Sequence, residues 1–162
     1  MAHLKNANNV RRVISVLVEN ESSVLSRISG LFAGRGYNIE TLTVAPVPNS
    51  NLSHITIVTK GNAKVLEQIT KQLHKLVPVY KVVEHEEMVE KEMVLVKFPI
   101  EESLADVEAL CSAYNGGIVN VGVDMFIGMV ADEPCRVRHF AEAVERYNPI
   151  EIVRGGVVAI ER

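Results

Sequence analysis

Residues 12–39, Arg12-Val13-Ile14-Ser15-Val16-Leu17-Val18-Glu19-Asn20-Glu21-Ser22-Ser23-Val24-Leu25-Ser26-Arg27-Ile28-Ser29-Gly30-Leu31-Phe32-Ala33-Gly34-Arg35-Gly36-Tyr37-Asn38-Ile39, set the architecture of the chain. Residues 12–18 are β-branched or apolar on both faces, which suits a buried strand better than a helix. Val24, Leu25, Ile28, Leu31 and Phe32 then recur at the spacing of an amphipathic helix, predicted over 23–34. Gly34 and Gly36 offer the left-handed backbone that stops it. The turn Asn20-Glu21-Ser22-Ser23 between strand and helix is rich in hydrogen-bonding groups.

Moving outward, 38–45 and 52–60 read as strands joined through Pro46-Val47-Pro48-Asn49-Ser50-Asn51, a hairpin. Asn62 is placed to cap a helix whose Val65, Leu66, Ile69, Leu73 and Leu76 share a face, and Pro78 ends it before the strand 79–83. That half reads βαββαβ. A charged joint, Glu84 to Glu92, read as a linker or a strand edge, leads to Met93-Val94-Leu95-Val96-Lys97-Phe98 and a second run of the same kind. Its first helix carries Leu104, Val107, Leu110, Cys111 and Tyr114. Strands follow near 118–124 and 126–131. Asp132 is expected to cap the next helix, with Pro134 in its first turn and Val137, Phe140, Ala141, Val144 and Tyr147 as its stripe, before a last strand. The predicted class is α+β: two consecutive ferredoxin-like βαββαβ units, each a four-stranded antiparallel sheet with two helices on one face and nothing on the other. Units of this size bury little surface, so pairing with each other or with a second chain is expected.

With 162 residues, 48% hydrophobic and 23% charged, the chain has the composition of a folded globular protein. A net charge of −3 argues against nucleic acid as a ligand, because phosphate recognition rests on Lys and Arg. The central strands also carry no Phe, Tyr or Trp on which bases could stack, unlike RNA-binding domains of the same element order. No apolar run reaches the length of a membrane span, and Met1-Ala2-His3-Leu4-Lys5-Asn6 lacks the apolar core of a signal peptide, so a cytoplasmic location is expected. Cys111 and Cys135 are expected as buried thiols.

Chemistry is mostly missing. The five histidines, His3, His54, His74, His85 and His139, occur singly, and no Cys-x-x-Cys, Walker loop or nucleophile elbow is present. Gly34-Arg35-Gly36 ends a helix, whereas a dinucleotide fingerprint opens one. No catalytic residue and no metal ligand is assigned. What remains is the turn itself. Helix N–H groups at its start suit a carboxylate, Asn20 or Asn38 could accept from an ammonium, and Val24, Leu25 and Ile39 could form an apolar wall. The residues leave a second reading open, in which Asn20 or Ser22 simply caps the helix and Asn38 belongs to the turn after Gly36.

The segments Arg11 to Ser22, Leu25 to Phe32 and Arg35 to Pro46, with Leu66 to Leu76 and Arg154 to Ala159, resemble the regulatory small subunit of acetolactate synthase (acetohydroxyacid synthase). The resemblance implies an ACT amino-acid-binding domain over 11–85, a linker over 86–92 and a C-terminal ferredoxin-like regulatory domain over 93–162. It implies a homodimer through side-by-side ACT sheets, in which Asn20, Ser22, Ser23, Val24 and Leu25 of one chain face Asn38 and Ile39 of the other. The implied effector is a branched-chain amino acid, usually valine. The implied partner is the catalytic large subunit, which carries thiamine diphosphate, Mg2+ and FAD, while this chain carries no cofactor and is not itself an enzyme. The expected function is activation of that subunit and feedback inhibition in valine, leucine and isoleucine biosynthesis. The alternative is a stand-alone ACT-domain sensor acting on another enzyme or a transcription factor. The family usually has glycine where this chain has Ser23, whose side chain could crowd the ligand or donate to it.

Overall fold

The structure, a computed structural model, describes residues 9–84 and 87–162. By contact the chain divides into two units: residues up to 89 together with 159–162, and residues 90–158.

In the first unit, β1 (Val10–Glu19), α1 (Val24–Ala33), β2 (Ile39–Pro46), β3 (Leu52–Gly61), α2 (Ala63–Lys75) and β4 (Val79–Val83) follow the expected order. The strands pair antiparallel in the order β2-β3-β1-β4. Ile14, Val16 and Val18 of β1 and Ile55 and Ile57 of β3 meet Val24, Ile28 and Phe32 of α1 and Leu66, Ile69 and Leu73 of α2 in one core. Each such side chain, fully buried, contributes about 1.5 to 3 kcal/mol. Gly36, at φ +72°, lets the Gly36 N–H reach the Ala33 carbonyl and the Tyr37 N–H reach that of Phe32, both at 3.0 Å. These two hydrogen bonds close the end of α1. Gly34 keeps a right-handed φ of −62°, so only the second glycine does what the sequence asked of both.

The second unit contains most of β5 (Met88–Pro99), then α3 (Leu104–Ala113), β6 (Gly116–Val121), β7 (Met125–Asp132), α4 (Pro134–Val144), a 3-10 turn (Glu145–Tyr147) and β8 (Glu151–Arg154). Its sheet order is β6-β7-β5-β8, and a ninth strand, β9 (Val158–Glu161), also pairs with β5. Val94, Val96, Phe98, Phe126 and Val130 pack against Val107, Cys111, Val137, Phe140 and Val144. The Phe98 and Phe126 rings, cross-strand partners, stack with centroids 5.3 Å apart.

Five expectations change. Residues 88–92 of the segment expected as a linker belong to β5, whose alternation of exposed and buried residues is that of a strand. The single last strand is two, β8 and β9, broken by Gly155-Gly156. This makes the second sheet five-stranded instead of four-stranded. Asp132 is the last residue of β7 and Glu133 occupies the N-cap of α4 without a side-chain bond. Asp132 instead lies buried and accepts from Glu133 N–H at 2.8 Å, Asn115 Nδ2 at 3.1 Å, Lys91 Nζ at 3.3 Å and Arg136 Nε. Cys135 is exposed, and only Cys111 is buried. Finally, part of the face of the first sheet away from its helices is buried. The cross-strand pairs Val13 with Val58 and Ser15 with Thr56 point there, and all four are buried.

The Arg154 to Ala159 segment has a structural role. Arg154 Nε bonds the buried Glu92 carboxylate at 2.7 Å, Gly155 N–H reaches the Met93 carbonyl at 2.8 Å, and Val157 and Ala159 are buried.

Candidate functional site

The strand-to-helix turn is built by a short ladder of backbone bonds. Glu19 N–H bonds the Pro78 carbonyl at 2.8 Å, Asn20 N–H that of Asn51 at 2.9 Å, and Val24 N–H that of Glu21 at 3.3 Å. The first helical bond runs from Arg27 N–H to the Ser23 carbonyl at 3.2 Å. Tyr80 donates to Glu19 Oε1 at 2.9 Å, which ties the base of the turn to β4 and raises the Tyr80 hydroxyl pKa through that bond and the glutamate charge.

Ser23 sits at the N-cap with φ −90° and ψ −13°, a backbone any residue adopts, and its side chain makes no capping bond. The α2 and α3 starts differ: Asn62 Oδ1 accepts from Lys64 N–H at 2.9 Å, and Ser103 Oγ from Asp106 N–H at 3.3 Å. Asn20, Ser22 and Ser23 are exposed, and among the described residues the N–H groups of Leu25 and Ser26 have no partner. The α1 start therefore presents unpaired donors and the positive end of a helix dipole to solvent, the conditions under which a carboxylate is held. Neither Asn20 nor Ser22 caps the helix as the alternative reading had it. Val24, expected in an apolar wall, is 2% exposed in the core, so any such wall falls to Leu25, 40% exposed.

Asn38 is held elsewhere. Its carbonyl accepts from Thr59 Oγ1 at 2.9 Å, and Ile39 beside it pairs with Thr59 and packs on the core. On its other side, the Tyr37 ring lies against Gly61 and its hydroxyl accepts Asn62 N–H at 3.0 Å. Sequence reasoning missed this seat; its one trace is a glycine at the end of a strand.

The two groups do not meet within one chain. β1 and β2 both run antiparallel to β3, so Glu19 stands opposite Leu52 and Ile39 opposite Thr59. At about 3.3 Å per residue, those positions are roughly 23 Å apart along β3. Asn20, Ser22, Ser23 and Leu25 lie at one end of the sheet, Asn38 and Ile39 at the other. Among the described residues no three of His, Cys, Asp and Glu gather where a metal ion could be held, and no helix is long and apolar enough to cross a membrane.

Fold and site define a class: a two-unit α+β chain whose first unit is an ACT domain with an uncapped α1 start. The family description "AHAS small subunit-like ACT domain" matches residues 14–81, and "Small subunit of acetolactate synthase" matches residues 91–162. The chain belongs to the acetolactate synthase small-subunit family. It is 43% identical over 157 residues to the acetolactate synthase small subunit of Haemophilus influenzae, covering 94% of this chain and 96% of that one. The isozyme 3 small subunit of Escherichia coli is also 43% identical, with the same coverage. The crystal structure of the small subunit from Thermotoga maritima is similar with a TM-score of 0.84 at 34% identity, over 94% of this chain and 98% of that one.

Proposed function

We propose that this chain activates an acetolactate synthase catalytic subunit and carries to it feedback from a branched-chain amino acid, valine foremost. In this reading the catalytic subunit holds thiamine diphosphate, Mg2+ and FAD, and this chain supplies neither cofactor nor catalytic group.

The observation that carries the reading is the separation of the two half-sites beside an edge strand. β2 is the outermost strand of its sheet. If the β2 edges of two copies pair antiparallel about a two-fold axis, the partner's β2 starts where this chain's β2 ends. Pro46 pairs with Ser53, and Asn20 bonds Asn51, so that end is also the α1 end. A second copy would thus bring its own Asn38 and Ile39 to the end of the sheet that bears Asn20, Ser22, Ser23 and Leu25. The ligand carboxylate would lie on the α1 N–H groups, its ammonium on the asparagine carbonyls, and its aliphatic side chain on Leu25 and Ile39. Because the Ser23 hydroxyl is not used by the helix, it is available to donate to the carboxylate, which supports retention of the site despite the departure from glycine. An effector held between two copies acts by linkage: it favours the dimer arrangement it binds better and shifts the holoenzyme with it.

Purified catalytic subunit assayed alone and with this chain tests the activation. The expected outcome is a higher rate of acetolactate formation with the chain present, and an unchanged rate contradicts the proposal.

A further inference from the structure

The sheet of the second unit packs α3 and α4 against one face, and its other face is apolar and open to solvent. The register sets out that open face row by row. Leu95 of β5 stands between Met129 of β7 and Val153 of β8, and two residues further on Lys97 stands between Ile127 and Glu151. Met93 lies two residues back along β5. Residues two apart on a strand share a face, so these side chains form one block, while Val94, Val96 and Val130 between them point into the core. Those core residues are fully buried, whereas Leu95 is 37% exposed, Met93 46% and Val153 52%. Met129 and Ile127 are half-buried.

Size and charge decide what fits there. The strands β6-β7-β5-β8 at about 4.8 Å spacing, and the run from Met93 to Pro99 at about 3.3 Å per residue, make a face of roughly 19 by 23 Å. Exposed apolar patches of that size mark interaction sites. A partner helix, about 10 Å across, would leave about half of the face wet, whereas another sheet of the same width covers it. Two such faces in contact bury on the order of 900 Å² in projection alone, and side-chain relief brings this toward the roughly 1,200 Å² at which specific interfaces begin. The charged side chains in these rows are Lys97 and Glu151, paired at 3.1 Å, so the face is neutral. A two-fold axis sets a patch against itself, and a patch with one charge of each sign meets its own copy without repulsion. Met93 and Met129 bring side chains that adapt their shape to a facing surface.

We propose that this face is an interface with a second copy of the chain, in which the same face of that copy packs on it as a sandwich of two sheets. Leu95, Met129 and Val153 form the apolar centre of the contact, and Lys97 and Glu151 form its charged rim. The contact lies wholly in the second unit and uses neither β2 nor the Asn20 and Asn38 half-sites.

The test uses the full-length chain with isotope-labelled methionine methyl groups, read by NMR with a soluble gadolinium chelate as the probe of exposure, and sedimentation velocity on the same samples. The Met93 and Met129 methyls report on this face whether or not β2 edges pair. In the wild type both should be shielded from the chelate at high protein concentration and become accessible on dilution. Glu151→Lys and Lys97→Glu each set two like charges on the face, so each should weaken the association about tenfold or more and expose the methyls. An equimolar mixture of the two variants should restore the shielding, because a doubly positive face then meets a doubly negative one. Circular dichroism checks that both variants fold. Methyls accessible in the wild type at every concentration overturn the proposal. So does shielding that both variants leave unchanged, or that their mixture does not restore. Shielding that appears only when the catalytic subunit is added makes that subunit the occupant and overturns it equally. Failure here leaves the effector reading untouched, because that reading rests on the first unit.

Discussion

Replacing Gly61 by alanine would set a methyl group inside the ring of Tyr37. A Cβ at position 61 would lie 1.6 Å from Cε1, 2.3 Å from Cδ1 and 2.8 Å from Cζ of that ring. The ring is not free to step aside, since its hydroxyl accepts the Asn62 N–H at 3.0 Å and its body packs on the core. The chain must either shift the backbone of residues 37–39 or expel the ring. Overpacking of this kind costs about 1 to 3 kcal/mol, and the lost hydrogen bond adds about 1 kcal/mol. The predicted destabilisation of Gly61→Ala is therefore about 2 to 4 kcal/mol, read by urea denaturation followed at tyrosine and by circular dichroism. The reasoning makes a sharper claim through a double-mutant cycle. With Tyr37→Ala already in place the clash is gone, so Gly61→Ala should then cost less than about 0.5 kcal/mol. A Gly61→Ala protein as stable as the wild type, or a cost that persists without the Tyr37 ring, refutes it. The same substitution displaces Asn38, so it should weaken amino-acid binding at the proposed effector site even where the fold survives.

Two further outcomes follow from charge and burial. Burial acts to raise the Asp132 pKa, but bonds from Arg136, the Glu133 N–H and Lys91 outweigh it and hold the group at about 2, below its ordinary 3.8. A depressed carboxylate stabilises the fold fully above its unfolded pKa and loses that contribution as pH falls through the folded one. Asp132→Asn should accordingly cost about 1.5 to 3 kcal/mol near neutral pH, with the gap to wild type narrowing between pH 4 and pH 2; denaturation curves across that range check it, and a gap independent of pH counts against it. Burial, aided by the Glu108 charge, pushes the Cys111 thiol up to about 11, whereas Cys135 is exposed. A thiol reagent at pH 8 should label only Cys135 in the native protein and both cysteines in denaturant, as mass spectrometry would show.

Much of the fold was legible because its signals are local. The 3.6-residue stripe from Val24 to Phe32, the Asn62 cap and the alternation in the strands each follow from a few neighbouring side chains, and they set the element order of the first unit and, up to the break of the last strand into β8 and β9, of the second. The failures have non-local causes. Asp132 has the type and position of a cap, but Asn115, Lys91 and Arg136 claim its carboxylate, and those partners come together only in the folded unit. Cys135 falls on a helix as Cys111 does, yet it faces solvent, which helix membership alone could not decide. The burial of Val13, Ser15, Thr56 and Val58 on the far face of the first sheet was invisible because it comes from tertiary packing, which the pattern along a single strand does not report.

At the candidate site, the strand-to-helix turn from Asn20 to Ser23 was readable as a turn, and α1 starts there without a side-chain cap. The burial of Val24 was also written in its helical stripe, where it aligns with Ile28 and Phe32. The separation of roughly 23 Å along β3 between the positions facing Glu19 and Ile39 was not, because it depends on strand direction within the sheet.

The most direct test is the valine dependence of the holoenzyme reconstituted from the catalytic subunit and four versions of this chain: wild type, Asn20→Ala, Asn38→Ala and an equimolar mixture of the two variants. If the effector site is shared between two copies, valine should lower the wild-type rate and leave either single variant insensitive while still activated. The mixture should regain part of the inhibition, because a mixed dimer restores one intact site. A wild-type holoenzyme indifferent to valine, single variants that respond like wild type, or a mixture no more sensitive than its components would contradict the account.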